Sequence, residues 1–123
     1  MKGPAPRPSR VRKMTVVEAA WVGAMLEGEG CIRTYRRTTN RGTHWHPEVT
    51  IGSTEVETIA TILRLVGDGG VYFRPRVTPT RRPMWVWTLG AQAALHDLLS
   101  QVMEFLTSKR EDAEVLLVHA RRV

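Results

Sequence analysis

Cysteine is almost missing from this 123-residue chain. Cys31 stands alone, which excludes an intrachain disulfide and leaves any zinc site without its usual partner thiolates. Long apolar runs are missing as well. The longest, Ala19 to Leu26, covers eight residues, against the ~20 needed to cross a bilayer, so no membrane partner is expected. The first ten residues, MKGPAPRPSR, carry prolines and arginines where a secretory leader needs a continuous apolar stretch. The protein is therefore expected inside the cell, in the cytoplasm or an organelle. What remains is 42% hydrophobic and 24% charged residues, the balance of one globular domain held by packing.

Acid is scarce where base is abundant. Residues 1–13 hold Lys2, Arg7, Arg10, Arg12 and Lys13 with no carboxylate. The stretches 31–52 and 69–89 hold eight arginines and one acid, Glu48. The other eleven acids lie in the remaining segments, which have only five basic residues. A chain needing charge for solubility alone would mix the signs, so this segregation points to a polyanion lying along one part of the molecule. Every basic residue in the two stretches is arginine rather than lysine, and the planar guanidinium suits phosphates and guanine edges.

Residues 1–13 mix Pro, Gly, Ser and basic residues without periodicity and are expected to form a flexible arm ahead of one domain, 14–123. Thr15 and Glu18 have capping-box spacing, and Val16, Val17, Ala20, Ala24 and Met25 recur at helical intervals until Gly28 and Gly30. Cys31–Thr39 and His44–Ile51, joined by Asn-Arg-Gly, read as a hairpin. Ser53 or Thr54 caps a second helix closed by the glycines at 67–70. A second hairpin pairs Val71–Val77 with Pro83–Leu89, and helices follow over 91–103 and 108–121. The prediction is an α+β domain, helix-hairpin-helix-hairpin-helix-helix, with a four-stranded antiparallel sheet covered by helices on one face.

Alternation assigns the faces. Ile32, Thr34, Trp45, Val49, Ile51, Val71, Phe73, Trp85, Trp87 and Leu89 point toward the helices. The open face receives Arg33, Tyr35 and Arg37 from the first strand and His44, His46, Glu48 and Thr50 from the second. Tyr72, Arg74 and Arg76 follow from the third, with Arg82, Met84, Val86 and Thr88 from the fourth. With Arg41 and Arg81 in the connecting loops, these are the candidate DNA-binding residues, since a twisted antiparallel ribbon fits the major groove. His44 and His46 alternate on one strand, but no third ligand accompanies them, so they read as polar DNA-facing residues rather than metal ligands.

The segment AWVGAMLEGEGCI, 20–32, has two peculiarities. Ala20, Ala24 and Gly28 make a helix stripe with almost no side-chain bulk, which lets a second helix approach closely. Glu27 and Glu29 sit at the negative end of the helix dipole, where a carboxylate is disfavoured by ~0.3–1 kcal/mol, and a divalent cation would offset that. The segment resembles the motif helix of the LAGLIDADG homing endonucleases, which commonly reads like WLAGLLEGEGCF. A second match is FLTSKREDA, 105–113, similar to the family's Phe-Leu, Lys and following helix. The resemblance extends over about residues 15–120 and implies the family's DNA-binding β-saddle. The glycine-rich stretch 66–70 imitates half a motif, but its helix lacks the small-residue stripe, so it reads as a helix cap.

Carried over residue by residue, the resemblance implies a site-specific endonuclease that hydrolyses phosphodiester bonds of duplex DNA. Glu29 and Gly28 would lie at the metal, Mg²⁺, with Mn²⁺ or Ca²⁺ able to replace it for binding; no small-molecule cofactor is implied. Lys109 would stand near the scissile phosphate and Ser53 would position solvent, although Ser53 is shorter than the family's usual Gln or Asn; Glu27 falls on the acidic position that helps shape or cap the helix end and takes no catalytic role. One motif supplies one catalytic acid, so a homodimer is implied, with Ala20, Gly23, Ala24, Glu27 and Gly28 at its interface and a long, near-palindromic target. Two other readings stay open: a non-cutting maturase or DNA-binding regulator with the same saddle, and an RNA-binding domain with a basic sheet.

Overall fold

The computed structural model describes residues 7–76, 78–80 and 82–120. Its elements are α1 (Val16–Glu29), β1 (Gly30–Thr39), β2 (Gly42–Ser53), α2 (Val56–Val66), β3 (Gly70–Arg74), β4 (Met84–Leu89), α3 (Gln92–Val102), a 3₁₀ turn (Met103–Phe105) and α4 (Arg110–Ala120). The strands form one antiparallel sheet in the order β1-β2-β4-β3. The element order is the expected one, and the sequence accounts for its joints. Thr15 and Glu18 close a full capping box at α1. Gly67 ends α2 with φ +84°, a left-handed cap, and its N–H returns to the Leu63 carbonyl. Pro47 is tolerated inside β2 because β4 pairs only from Val49 onward, leaving Pro47 opposite Thr34 alone.

The core lies between the sheet and the helices. Val49, Ile51, Trp87 and Leu89 from the two central strands meet Val22 and Leu26 of α1, Ile59 and Ile62 of α2, and Leu95, Leu98 and Leu99 of α3, all essentially without exposure. Trp87 keeps its indole N–H satisfied by donating to the Asp68 carbonyl at 3.0 Å.

Several expectations need correcting. The core stripe of α1 is Ala19, Val22, Gly23 and Leu26, while Val16 and Val17 are exposed; the helix is apolar on both sides, so spacing alone did not pick the buried one. Residue 55, not Ser53 or Thr54, is the N-cap of α2; it makes no side-chain cap bond, and Ser53 Oγ instead accepts from the Glu55 N–H. Trp45 has the core-side parity but is 60% exposed, because β2 runs past the helices there. Its ring takes the Arg36 guanidinium at 5.8 Å. Val71 and Phe73 are exposed too, since β3 is an edge strand with thin cover.

Nor is the whole of 1–13 a free arm. Residues 1–6 lie outside the described residues, but 7–13 are docked along the C-terminus of α2. Arg7 makes two bonds to the Asp68 carboxylate (2.9 and 3.2 Å), and the Arg10 N–H makes a third. The Arg12 N–H donates to Val66 and its guanidinium to the Leu65 carbonyl. Asp68 is the single buried charged residue among those described. Burial pushes its carboxyl up, but the Arg7 side chain and the N–H groups of Arg10 and Gly69 outweigh that and hold it below the usual value.

Candidate active site and nucleic-acid interface

The last turn of α1 meets the first turn of α4, and Glu27 joins them. Gly23 makes the approach possible: a Cβ there would lie 2.8 Å from Phe105 Cβ, so only glycine lets the 3₁₀ turn seat against α1. The turn then delivers residues 107–109 to the Glu27 carboxylate, which accepts from the N–H groups of Thr107 (2.6 Å) and Lys109 (3.2 Å) and from the Ser108 hydroxyl. The Ser108 and Thr107 bonds hold the carboxyl down at about 2. A carboxylate at a helix N-terminus sits at the positive end of the dipole. Glu27 thus escapes the penalty of its own helix by capping the next one.

Lys109 completes the joint. Its ammonium donates to the Glu27 carbonyl at 2.5 Å, placing positive charge on the negative end of α1; its other two N–H donors have no acceptor among the described residues. Glu29, two residues on, is exposed and has no such partner among the described residues. It lies where two depressions meet. One, of about 580 Å³, is lined by Trp21, Ser53, Glu55, Thr58 and Arg82 together with Glu29. The other opens onto the sheet and is lined by Glu29, Cys31, Arg33, Thr50 and Arg74. Ser53 therefore shares a cleft with Glu29, and Lys109 shares its helix end.

The strand registers collect the arginine-rich face as alternation requires. Cys31, Arg33, Tyr35 and Arg37 stand opposite Thr50, Glu48, His46 and His44. Thr50 continues to Thr88 and Gly70, and Gly52 to Val86 and Tyr72, while Arg74 stands opposite Met84. Val86 has the open-face parity expected of it but is only 5% exposed, so its side chain is packed among its strand neighbours and not presented to DNA. The face is ordered by its own contacts: Arg33 pairs with Glu48 at 2.8 Å, and Tyr35 stacks on His46 with ring centroids 5.5 Å apart. Arg41 lies in the β1–β2 turn and Arg82 in the approach to β4; both are exposed. Arg76 follows β3 rather than belonging to it, and Arg81 lies outside the described residues. Among the described residues no three His, Cys, Asp or Glu side chains group as a metal site, the two histidines of β2 included.

The fold has parallels among solved structures. Structural comparison aligns the chain with I-CvuI, a homing endonuclease solved in complex with its target in the presence of 2 mM Ca, at TM-score 0.74 and 18% identity, over 87% of this chain and 68% of that one. It aligns with the archaeal intron-encoded homing endonuclease I-Vdi141I complexed with DNA at TM-score 0.72 and 15% identity, over 85% and 67%. The LAGLIDADG homing endonuclease I-SmaMI bound to cleaved DNA gives 0.68 and 16%, over 97% and 40%. The chain has the homing-endonuclease fold. No protein-family profile matches the sequence, and no curated protein does. The likeness is one of fold, at identities of 14–18%.

Within that fold, the proposed seam divides. Ala20, Ala24 and Gly28 stay on the outer side of α1 with Val17 and Trp21, and none of the described residues comes within 4 Å of where a Gly28 Cβ would be. Gly23 and Glu27 leave it: the first is filled by Phe105 and the second is consumed by α4, both within one chain. Cys31 joins the cleft beside Glu29, a residue outside the expected site set; its parity with Arg33 and Tyr35 is the signal in the sequence that places it there. Glu55 and Thr58 join through the first turns of α2, which no pattern in the sequence connects to Glu29.

Proposed function

We propose that this protein is a site-specific, metal-dependent endonuclease of duplex DNA that acts as a two-fold dimer on a long, near-palindromic site. The observation that carries the proposal is the position of Glu29, an exposed carboxylate at the end of α1 opening directly onto the arginine-lined open face of the sheet. The fold shared with DNA-bound homing endonucleases supports it.

The helix α1 supports the dimer. It carries two apolar stripes, and the described residues cover only one of them. Pairing the bare stripes of Val17, Ala20, Trp21, Ala24 and Gly28 from two copies is self-complementary, as a two-fold contact must be, and sets two Glu29 carboxylates near the axis. One carboxylate per chain does not make a closed metal cage, but Mg²⁺ commonly binds through one or two carboxylates plus substrate phosphates, so the donor chemistry fits. Glu29, with Gly28 beside it, would hold the ion, which when bound lowers the pKa of the attacking water and neutralises developing charge. Lys109, at the same helix end, would direct a further N–H donor to the phosphate. Ser53, in the same cleft, orders solvent. The arginines of the open face neutralise the backbone along the site.

Glu29→Gln should abolish Mg²⁺-dependent nicking of a cognate duplex while leaving binding to it unchanged. Full activity in that variant removes Glu29 from the mechanism. Preference for RNA over duplex DNA in competition would favour the basic-sheet RNA-binding reading instead.

A further inference from the structure

Glu48 is the one carboxylate in the two basic stretches 31–52 and 69–89, and it sits on the open face. A negative charge there opposes polyanion binding, so something must compensate for it. Stability does not: an ion pair as exposed as Arg33–Glu48, with side chains 58% and 20% accessible, is screened by water and adds little to the fold. The bonding pattern gives a different reason. Arg33 Nε (3.1 Å) and Nη2 (2.8 Å) both donate to one oxygen, Glu48 Oε1. The guanidinium is gripped by its Nε side, while its other edge, Nη1 with the remaining Nη2 hydrogen, has no acceptor among the described residues. The Tyr35 ring, 5.7 Å from the guanidinium carbon, supports the group from the next residue on the same strand face.

We infer that Arg33 and Glu48 form a reader for a G·C pair, with Arg33 as the specificity residue and Glu48 as its positioning residue. The free guanidinium edge presents two parallel N–H donors, which match O6 and N7 of guanine in the major groove. The second carboxylate oxygen, Oε2, has no protein donor among the described residues and is the acceptor type that the amino group of the paired cytosine requires. A mobile arginine on this face would settle on any phosphate; one held by Glu48 is pre-organised for a base edge. In a dimer the pair occurs twice, so a G·C pair recurs symmetrically in both half-sites. This assignment rests on the DNA-binding reading above.

The test is selection of bound duplexes from a randomised library without added metal, using the wild type, Arg33→Ala, Glu48→Ala and Glu48→Gln, each checked for an unchanged melting temperature. Wild type should enrich one site with a fixed G·C pair in each half, and Arg33→Ala should lose the preference there by about 10-fold or more. Glu48→Ala should lose the same preference yet bind random-sequence duplex more tightly, with a salt slope steeper by up to ~0.9 as Arg33 turns to a phosphate. Glu48→Gln, which keeps an acceptor, should retain the preference. An unchanged base preference in Glu48→Ala overturns the inference, as does Arg33→Ala weakening all sequences equally. If the wild type enriches no duplex at all, the DNA-binding reading falls and this one with it.

Discussion

Leucine at position 23 and leucine at position 24 should fail in opposite ways. Both residues lie in α1 and differ by one position, but Gly23 is filled by Phe105 and Val102 while Ala24 is exposed. A Cβ at Gly23 already falls 2.8 Å from Phe105 Cβ, and leucine adds three more carbons toward the same turn. Overpacking of this kind costs ~1–3 kcal/mol or more, against a helix-propensity gain of ~1 kcal/mol on replacing glycine. Because the Cβ alone already overlaps Phe105, the upper end of that range applies, and the net loss is about 2 kcal/mol, or about 8 °C in melting temperature for a domain of this length. Because the displaced turn leads into Thr107–Lys109, cleavage should fall as well. Ala24→Leu should melt within about 0.5 kcal/mol of the wild type but sediment as a monomer, its bulk blocking the close approach of two helices. The measurements are thermal melts and sedimentation velocity on the two variants side by side. A Gly23→Leu protein with a native melting temperature that sediments as a monomer would refute the reasoning, because Gly23 would then face the partner and not Phe105.

Two further outcomes follow from the charges. Glu27 has a carboxyl held at about 2 against an ordinary 4.5; a lowered pKa means its contribution is complete above about 4.5 and fades as pH falls toward about 2. Denaturation midpoints of the wild type and Glu27→Gln should therefore differ at neutral pH and converge in acid, and a gap that persists at pH 2 would contradict the capping role. Asp68→Ala removes the acceptor of the Arg10 and Gly69 N–H groups and of Arg7 and should cost about 1–3 kcal/mol, with residues 7–13 becoming sensitive to protease. Unchanged stability and protection would mean that the docking of 7–13 does not depend on Asp68.

The open face was legible in the sequence because a strand has a period of two. Once Ile32, Val49, Ile51, Trp87 and Leu89 are placed inward, Arg33, Tyr35, His46, Glu48, Thr88 and Arg74 have nowhere else to go. The start of α1 was legible in Thr15 and Glu18. Its buried side was not, because a helix that covers a core on one side and leaves an apolar stripe open on the other gives no single periodicity. Trp45 and Phe73 show a related limit: alternation gives the face of a sheet but not how far the helices cover it. Contacts between residues remote in sequence were invisible. Nothing near Asp68 announces Arg7, sixty-one residues away; for Glu27 the family resemblance implies a role at the helix end, but no local pattern names Thr107, Ser108 and Lys109 as the groups that answer its charge.

The central claim is that two copies of this chain place one Glu29 each over opposite strands of the same duplex. It is tested most directly by incubating the protein with a randomised duplex library and Mg²⁺ and sequencing both ends of every break. The account predicts breaks on both strands at a fixed offset about a centre of two-fold symmetry, and none with Glu29→Gln. Breaks on one strand only, breaks without symmetry, or equal cutting by Glu29→Gln would contradict it.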